Sequence, residues 1–478
     1  MSTPPPRCDA GIAHAADRRD GAERPILVLA TCILASSLAF VDGSVVNVGL
    51  PAIGRSLGGN AADLQWIINA YLLPLSALLL IGGALGDRFG RRLWLNIGVG
   101  LFGVASLGCA IAPTLPWLLA ARGVQGLGAA LLLPNSLAIL GSAFEGEAKG
   151  RAVGAWAATS SISAALGPVL GGWLIDGIGW RSIFLINLPL AVGAVALALI
   201  AVRDPRAEKD RPPPDWLGAA LATGALTGLI MGLTEGSGPS GWTLSAILAV
   251  AVGAALAAGF VWTEVRLGDR AMTPPALFGS RALMGLNLLT MMLYGALGGF
   301  LVLLPYLMIE TAHYSATAAG ASLLPFPIIM AAGAPITGQL AGRFGPRPLL
   351  AVGSSVVAVG FLLALRIGPG AAYWTEVLPC VVVFAFGMCA VAAPLTTAVL
   401  SAVDRQHTGA ASGLNSAVAR AGGLIAVALL GLVLAQHGAA LIGPFRSAAI
   451  VGAAAALASA AIALLMLPYK ANSAENIK

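Results

Sequence analysis

The sequence predicts an all-α membrane protein with fourteen transmembrane helices, divided six plus two plus six. First, 58% of the 478 residues are hydrophobic and only 10% are charged, whereas charged residues make up about a quarter of soluble domains. Second, the chain contains a series of apolar runs of about 20 residues, the length that crosses a bilayer as a helix. Third, a charged decapeptide at 83–92 recurs in altered form at 338–347, which indicates two related halves.

The order and sidedness of the helices follow from these runs and from the loops between them. Most of the 27 lysine and arginine residues fall on the side of the N-terminal segment, and loops rich in these residues remain in the cytoplasm. The sequence therefore predicts that both termini are cytoplasmic. The predicted spans are 26–50, 62–84, 93–112, 115–143, 150–174, 182–202, 215–235, 242–264, 283–308, 317–341, 347–367, 373–400, 408–435 and 444–467.

The repeat also sets the predicted domain boundaries. Alignment of the two decapeptides pairs the first six helices with the last six and leaves the seventh and eighth as an inserted pair. A charged, proline-rich stretch at 203–215 cannot continue a helix and leads into this pair. The predicted division is a cytoplasmic tail at 1–25, an N-terminal bundle at 26–203, a linker plus inserted pair at 204–282, a C-terminal bundle at 283–467 and a second tail at 468–478.

The composition argues against several classes of function. The formal charge of +6 comes from loops that orient the chain, so it does not indicate nucleic-acid binding. The four histidines and five cysteines show no spacing typical of a metal site, a disulfide framework or a nucleophile with its base. We therefore expect no enzyme activity, no metal and no cofactor. A membrane sensor would need a large soluble domain, and no predicted loop is long enough for one.

The first decapeptide, GALGDRFGRR, has the features of a latch at the inner membrane surface. Gly83 and Gly90 permit a tight turn and the close approach of a neighbouring helix, and Asp87 can accept hydrogen bonds from Arg88 or Arg91. In the second copy a glycine, Gly342, replaces the acid. The alternative is that these charges only set the topology. The predicted gate residues are Gly83, Asp87, Arg88, Gly90, Arg91 and Arg92.

Two ionisable residues lie within apolar helices, where charged side chains are costly and by default functional. Asp42 lies in the first helix, in the stretch FVDGSVVNVGLP. A low-dielectric environment favours the neutral form of a carboxyl group, so Asp42 is the predicted proton site. Arg122 of the fourth helix, in RGVQGLGAA, keeps its charge and can bias the protonation of a nearby acid. The alternatives are local hydrogen bonding of Asp42 and an Arg122 that extends to the outer interface.

The fifth helix contains the sequence GPVLGG, followed by WR and by N-x-P. Gly167 and Gly171 form a G-x-x-x-G packing face, and Pro168 removes a backbone hydrogen bond and bends the helix. Since a kinked helix with a glycine face can pivot against its partner, we predict a moving element formed by Gly167, Pro168, Gly171 and Gly172. The alternative for a G-x-x-x-G pattern alone is ordinary helix packing.

These motifs resemble those of the major facilitator superfamily, and in particular its fourteen-helix drug:proton antiporter branch, often called the EmrB/QacA type. The first decapeptide matches the pattern G-x-L-x-D-R-x-G-R-R, and the stretch around Asp42 resembles L-D-x-T-V-V-N-V-A-L-P, with serine and glycine at two positions. The run after Arg122 resembles R-x-x-Q-G-x-G-A, in which the arginine is implicated in proton transfer. The GPVLGG run resembles the antiporter motif that exporters of this superfamily carry and uptake members usually lack. The resemblance covers all fourteen predicted helices and implies proton-coupled drug efflux by a multi-pass protein of the bacterial inner membrane.

Polar and aromatic residues that lipid would not accommodate are candidates for a substrate cavity. They are Gln65, Trp66, Asn69, Tyr71, Gln125 and Asn415. The spacing of Gln65 and Asn69 places both on one helix face, and hydrogen bonding between helices is the alternative role. Some multidrug members of the branch have acids in helices ten and thirteen, and this chain has none there. Neutral, zwitterionic and anionic substrates therefore stay open, and the inserted pair either contacts substrate or serves as a spacer.

We therefore expect a proton-coupled antiporter that exports small amphipathic drugs or metabolites by alternating access. It would need no cofactor, because the proton gradient drives it. Its partners would be the small-molecule substrate, H+ and the lipid bilayer, with no nucleic acid; we expect a monomer, to which an accessory export protein can bind. The alternative is a proton-coupled symporter or a uniporter for uptake of a small organic nutrient.

Overall fold

The fold is taken from a computed structural model that describes residues 24–144, 146–202, 215–268, 275–404 and 408–468. Within these ranges the regular secondary structure is helical throughout, with no β-strand. The predicted cytoplasmic tails lie almost wholly outside the described residues, as do 203–214 of the predicted linker and 269–274 of the segment that leaves the inserted pair.

Short turns join the first six long helices. α1 ends at Gly58, whose left-handed φ of 69° suits a residue without a side chain. The next helix starts with a capping box, in which the Asn60 side chain accepts from Asp63 N (3.1 Å) and the Asp63 carboxylate accepts from Asn60 N (2.8 Å). The six helices are α1 (Pro25–Leu57), α2 (Ala61–Phe89), α3 (Arg91–Ala110), α4 (Leu115–Ala143), α5 (Gly146–Gly177) and α6 (Asn187–Ala201).

Eight further long helices follow. Two of them form a hairpin, and side chains cap the start of each: Asp215 accepts from Gly218 N, and Thr243 accepts from Ala246 N. A short helix, Ala316–Ala321, precedes the fourth of these eight helices. The eight are α7 (Trp216–Gly236), α8 (Leu244–Leu267), α9 (Arg281–Thr311), α10 (Pro325–Phe344), α11 (Pro346–Ala364), α12 (Leu378–Ser401), α13 (Thr408–Ala428) and α14 (Ile442–Met466).

The helices follow the predicted spans closely, with three differences. The sixth span, predicted over 182–202, is divided at Ile186 into a short helix, Ser182–Leu185, and α6. Among the described residues, 13 helices are long and apolar enough to cross a membrane, and α13, predicted over 408–435, is not one of them. It is a continuous helix only to Ala428, because the chain turns at 429–430 and resumes as a short helix, Gly431–Leu434. The predicted tenth span is likewise divided, into the short helix Ala316–Ala321 and α10.

The long helices pack as two bundles with a pair of helices beside them. α1 to α6 contact one another, and α9 to α14 contact one another. The bundles meet where α2 contacts α13, where α1 contacts α9, and where α5 contacts both α10 and the short helix Ala316–Ala321. α7 packs on α2 and α13, whereas only 11% of the α8 span is buried. The inserted pair therefore borders the bundle interface through α7, and most of the surface of α8 is exposed at the periphery of the protein.

Several polar contacts join the bundles at one end, the end of the α1–α2 turn, which the loop charges predict to be extracellular. Here we call it the outer end. Asp176 of α5 accepts hydrogen bonds from the start of the short helix Ala316–Ala321. Arg55 forms an ion pair with Glu310 at 2.9 Å. Gln65 Nε2 donates to the carbonyls of Val427 (2.8 Å) and Ala428 (2.9 Å). These contacts close the outer end.

Candidate functional site

A buried polar cluster lies inside the N-terminal bundle. Asp42 comes from α1, Ser106 from α3, Arg122 and Gln125 from α4, and Asn187 from the first residue of α6. Each of these side chains is at most 1% exposed. Polar groups at this depth are tolerated only when they are paired with one another. Four helices therefore converge on one hydrogen-bonded site.

Arg122 is the cation of this cluster. Its Nη1 atom donates to Asp42 Oδ2 in a buried ion pair, and also to Gln125 Oε1 at 2.8 Å. Its Nε atom donates to the Ile67 carbonyl of α2 at 3.1 Å. The sequence predicted Asp42 and Arg122 as partners in function, and the structure places them in direct contact. The snorkelling alternative for Arg122 does not apply, because the guanidinium points into the bundle.

Amide donors complete the surroundings of the Asp42 carboxylate. Its Oδ1 atom accepts from Gln125 Nε2 and from Asn187 Nδ2, both at 3.0 Å. The Gln125 and Asn187 amides also donate to Ser106 Oγ, at 2.8 Å and 3.3 Å. All these groups donate hydrogen bonds, as an ionised carboxylate requires, and both oxygens of Asp42 are therefore hydrogen-bonded. Loss of one partner from a buried ion pair leaves an uncompensated buried charge.

Aromatic rings frame the guanidinium of Arg122. Its Cζ atom lies 4.4 Å from the centre of the Tyr71 ring and 5.9 Å from that of Phe184, distances that permit cation–π attraction. The Tyr71 hydroxyl donates to the Ala39 carbonyl of α1 at 3.1 Å. Tyr71, which the sequence assigned to the substrate cavity, therefore supports the buried ion pair from one side.

The other predicted cavity residues lie in different environments. Gln65 bonds to α13, and Gln125 belongs to the cluster around Asp42. Asn415 donates to Asn287 Oδ1 (3.0 Å) and Thr290 Oγ1 (2.8 Å) of α9. Gln65 and Asn415 thus fit the alternative role, hydrogen bonding between helices.

Two cavity candidates remain. Trp66 is partly buried and packs beside Leu73 at the junction of α2, α7 and α13. Asn69 is fully buried, and neither of its side-chain polar atoms has a hydrogen-bond partner. Asn69 is therefore the predicted cavity residue whose polar groups stay available for a ligand.

The predicted gate decapeptide spans the end of α2 and the start of α3. Asp87 Oδ1 accepts from Arg91 Nε and Nη2, both at 2.8 Å, so Arg91 is the bonded one of the two predicted donors. Arg91 Nη1 also donates to the Ala138 carbonyl of α4 at 3.0 Å, and Arg92 Nη2 donates to the Leu199 carbonyl of α6 at 2.9 Å. These arginines tie α3 to the ends of two other helices.

The glycines of this decapeptide differ in role from the prediction. Gly90 has a φ of 111° and makes the predicted turn between α2 and α3. Gly83 is helical, and a Cβ atom there would make only an ordinary contact, 3.5 Å from Pro134. The close approach occurs instead at Gly86, where a Cβ atom would overlap the Asn135 carboxamide of α4. Gly86 is therefore a residue of close helix packing that the sequence analysis did not predict.

The predicted moving element of α5 packs closely on two partners. Cβ atoms at Gly167 and Gly171 would overlap the side chains of Ser44 and Val45 on α1, one turn beyond Asp42. A Cβ atom at Gly172 would overlap the Ala316 carbonyl of the other bundle. Pro168 lies inside the helix, as predicted. This face of α5 therefore connects the segment that carries Asp42 with the outer contact between the bundles.

Ser106 and Asn187 were not predicted as site residues. For Asn187 the N-x-P pattern at the start of α6 was a usable signal, because a polar side chain begins an otherwise apolar helix. Ser106 carries no comparable signal, since a lone serine in a membrane helix often bonds its own backbone, as Ser106 also does to the Phe102 carbonyl.

Among the described residues no group of three His, Cys, Asp or Glu side chains could hold a metal ion.

Two six-helix bundles that meet across polar and glycine-lined contacts, with a buried ion pair inside the N-terminal bundle, are typical of a secondary membrane transporter. The family model of the Major Facilitator Superfamily matches residues 32–301 and 286–478. The chain therefore belongs to the major facilitator superfamily, and it is a multi-pass membrane protein.

Curated relatives include exporters and resistance proteins. Over 437 residues the chain is 34% identical to "Multidrug resistance protein Stp" of Mycobacterium tuberculosis, with 89% of this chain and 79% of the relative covered. It is 35% identical over 408 residues to "Probable actinorhodin transporter" of Streptomyces coelicolor, with 83% and 70% covered. It is 32% identical over 447 residues to "Tetracenomycin C resistance and export protein" of Streptomyces glaucescens, with 91% and 81% covered.

Solved structures share the fold at low sequence identity. A peptide transporter POT in complex with sulfate superposes with a TM-score of 0.69 at 15% identity, over 92% of this chain and 94% of that one. An inward-facing bacterial homologue of the lysosomal transporter Spinster superposes with a TM-score of 0.65 at 16% identity, over 93% and 97%. At these identities the likeness shows the fold alone.

Proposed function

We propose that this protein is a proton-coupled antiporter that exports small amphipathic compounds, drugs or metabolites, across a bacterial inner membrane. The observation that carries the proposal is the buried Asp42–Arg122 pair, whose acid lies on the α1 segment that packs against the glycine face of α5. The export direction is supported by the curated relatives, which are named as resistance and export proteins. In this proposal both termini are cytoplasmic and the boundaries 26–203, 204–282 and 283–467 separate the bundles from the inserted pair.

Protonation of Asp42 is the coupling event in this proposal. A neutral carboxyl group no longer balances Arg122, whose guanidinium keeps Gln125, the Ile67 carbonyl and the Tyr71 ring as partners. Release of this ion pair frees α1 to shift by a small step relative to α4. Antiport then requires only that protonation and substrate binding favour different conformations of the two bundles.

The α5 glycine face gives this shift a route to the outer contacts. Ser44 and Val45 of α1 lie against Gly167 and Gly171, and the next residue, Gly172, touches the short helix Ala316–Ala321. Asp176 then caps that helix one turn further out. A displacement of α1 at Asp42 therefore acts on the same helix whose outer end holds the bundles together.

Transport into inverted membrane vesicles tests the proposal. With two fluorescent amphipathic probes, the anion pyrenebutyrate and the neutral pyrenebutanol, an imposed pH gradient, acid inside, should drive uptake of at least one probe by the wild-type chain and of neither probe by Asp42→Asn. Exchange of that probe without a gradient should continue in Asp42→Asn, which separates loss of coupling from loss of folding. Asp404→Asn, which removes an exposed acid after α12, is the matched control. Gradient-driven uptake that survives Asp42→Asn contradicts the coupling role, and accumulation in intact cells instead of depletion favours the uptake alternative.

A further inference from the structure

Arg420 is a second cation inside the helical bundles, and the proton-coupling cluster does not use it. It lies in the middle of α13, and its side chain is half-buried. Among the residues that the structure describes, its guanidinium forms no ion pair and no hydrogen bond. An arginine at this depth is costly unless a counter-charge or water satisfies it.

The charge balance of the interior leaves Arg420 uncompensated. Arg122 is neutralised by Asp42 within the N-terminal bundle. The sequence contains no acid between Glu310 and Glu376, and none between Asp404 and Glu475. The helices that pack on α13, namely α2, α7, α9 and α12, carry acids only in their first or last turns. The membrane part of this region therefore supplies no carboxylate for Arg420, and the bundle interface carries one unbalanced positive charge.

The packing of α13 shows where this cation points. Leu424 and Ala428 of α13 pack against Leu73 of α2 and Ile230 of α7. Arg420 precedes Leu424 by one helical turn and lies on the same face of α13. Its guanidinium also interacts electrostatically with Tyr71 of α2. Arg420 therefore faces α2 between the bundles, on the inner side of the outer closure.

Asn69 of α2 is a second buried polar residue on the surface that faces α13. It lies one turn from Gln65 on the same face of α2, the face that bonds to Val427 and Ala428 of α13. Because α2 and α13 run antiparallel here, Asn69 lies between the outer closure and the level of Arg420. Its carboxamide is fully buried with neither polar atom bonded. A buried polar group without a partner is destabilising, so such a group is expected where a ligand satisfies it.

We propose that Arg420 and Asn69 bind the anionic group of the exported compound, so that the transporter carries amphipathic organic anions. A guanidinium and an amide donor together match the oxygens of a carboxylate, sulfonate or phenolate. The apolar body of the compound packs against the cluster of Leu73, Ile230 and Leu424, to which α7 contributes. This inference rests on the proposed export function and names the substrate class of its site.

Equilibrium binding to the purified full chain in phosphatidylcholine nanodiscs tests this site without any gradient. The probes are pyrenebutyrate and pyrenebutanol, which share one apolar body and differ in charge; binding to empty nanodiscs is subtracted. Wild type should bind the anion about 10- to 100-fold more tightly than the alcohol, the range of a charge-assisted hydrogen bond. Arg420→Gln should lose that preference, Arg420→Lys should keep part of it, and Asn69→Asp should weaken the anion alone.

Arg446→Gln is the matched control, because it removes an exposed arginine from the same bundle. Equal affinity of wild type for the two probes, no binding of the anion, or an unchanged preference in Arg420→Gln overturns the inference. A preference that disappears when phosphatidylglycerol is added overturns it as well, since an anionic lipid headgroup is then the occupant.

The binding test and the transport test can fail separately. Anion binding through Arg420 in a protein that ignores a pH gradient contradicts the proposed antiport and leaves this site in place. Gradient-driven uptake of either pyrene probe in a protein whose Arg420→Gln variant binds both probes as wild type does contradicts only this site.

Discussion

Asp176 of α5 and Thr317 of the short helix Ala316–Ala321 are joined by two hydrogen bonds across the bundle interface. Asp176 Oδ2 accepts from the Thr317 backbone N–H (2.9 Å) and from its hydroxyl (2.6 Å), while Oδ1 accepts from Ala316 N (3.2 Å). A carboxylate at the start of a helix satisfies N–H groups that have no partner within the helix. One side chain of the N-terminal bundle thus caps a helix of the other bundle at the outer end.

Removal of this cap should open the outer end. Asp176→Ala deletes three hydrogen bonds to a charged acceptor, each worth about 1.5–3 kcal/mol in favourable cases. We expect the ratio of outward-open to outward-closed molecules to rise by at least about tenfold. Spin labels at Ser56→Cys on α1 and Ala318→Cys on the short helix, both at exposed positions, would report a longer distance population by pulsed EPR.

Glu235→Gln is the control for this experiment. Glu235 also accepts from hydroxyl groups, those of Thr243 and Ser245, but these contacts stay within the inserted pair. The labels should give the wild-type distances in this variant. If Asp176→Ala leaves the distances unchanged as well, the Asp176 cap does not hold the outer end closed.

The contact between α1 and α5 should tolerate no added side chain at Gly171. In Gly171→Ala the new methyl group would overlap Val45, and overpacking of this kind costs about 1–3 kcal/mol. We expect a lower melting temperature and slower gradient-driven uptake of the pyrene probe that the wild-type chain transports. The double variant Gly171→Ala with Val45→Ala should regain most of both, because the smaller residue on α1 restores the space.

Gly154 provides the matched control on the same helix. A Cβ atom there would have no neighbour within 4 Å, so Gly154→Ala should keep both melting temperature and uptake. Failure of Val45→Ala to rescue Gly171→Ala would show that this glycine acts through something other than contact with α1.

The sequence predicts the helices well because long apolar runs have one stable state in a bilayer. The C-terminal end of α13 and the division before α10 were not predictable in this way. They depend on tertiary contacts: Gly431 lies against Ser237 of the α7–α8 turn, and the short helix Ala316–Ala321 lies against Gly172 of α5. Such contacts involve residues far apart in the chain. Pro325 marks the start of α10, but it does not reveal that a separate short helix precedes it, and no proline or charge run marks the end of α13 at Ala428.

The sequence predicts the charged residues of the candidate site better than its neutral polar residues. Asp42 and Arg122 stand out because each is an ionisable residue in an apolar helix. Asn187 and Ser106 reach the carboxylate only through the packing of α3 and α6, so their role depends on the fold. Asp176 was missed for a related reason: an acid at a helix end looks like a solvated charge until its partner helix is known.

The buried ion pair makes a stability prediction that requires no transport measurement. Arg122→Met leaves Asp42 buried without its counter-charge and should destabilise the protein by about 3–5 kcal/mol. Addition of Asp42→Asn to Arg122→Met removes the orphaned charge and should restore most of that loss. The measurement is thermal or urea unfolding in detergent, analysed as a double-mutant cycle.

The coupling energy between residues 42 and 122 is the decisive quantity in this cycle. A double variant as unstable as Arg122→Met alone would show that Asp42 is not the partner that makes Arg122 necessary. Arg420→Met serves as the comparison, because this arginine has no ion-pair partner among the described residues. Its loss should leave stability unchanged or improve it, since no acid is left without its counter-charge.

The charge of the cargo should set the voltage dependence of transport. Export of a monoanion in exchange for one proton moves two charges across the membrane, whereas export of a neutral compound moves one. Each charge gains about 2.3 kcal/mol per 100 mV, so a lumen-positive potential of about 60 mV favours accumulation roughly tenfold for pyrenebutanol and roughly 100-fold for pyrenebutyrate. The measurement uses inverted vesicles with a valinomycin-imposed potassium potential and the pH gradient collapsed. Arg420→Gln should keep the dependence for the alcohol and lose net uptake of the anion. Equal voltage dependence of the two probes in the wild-type chain would contradict a fixed exchange of one proton for one substrate.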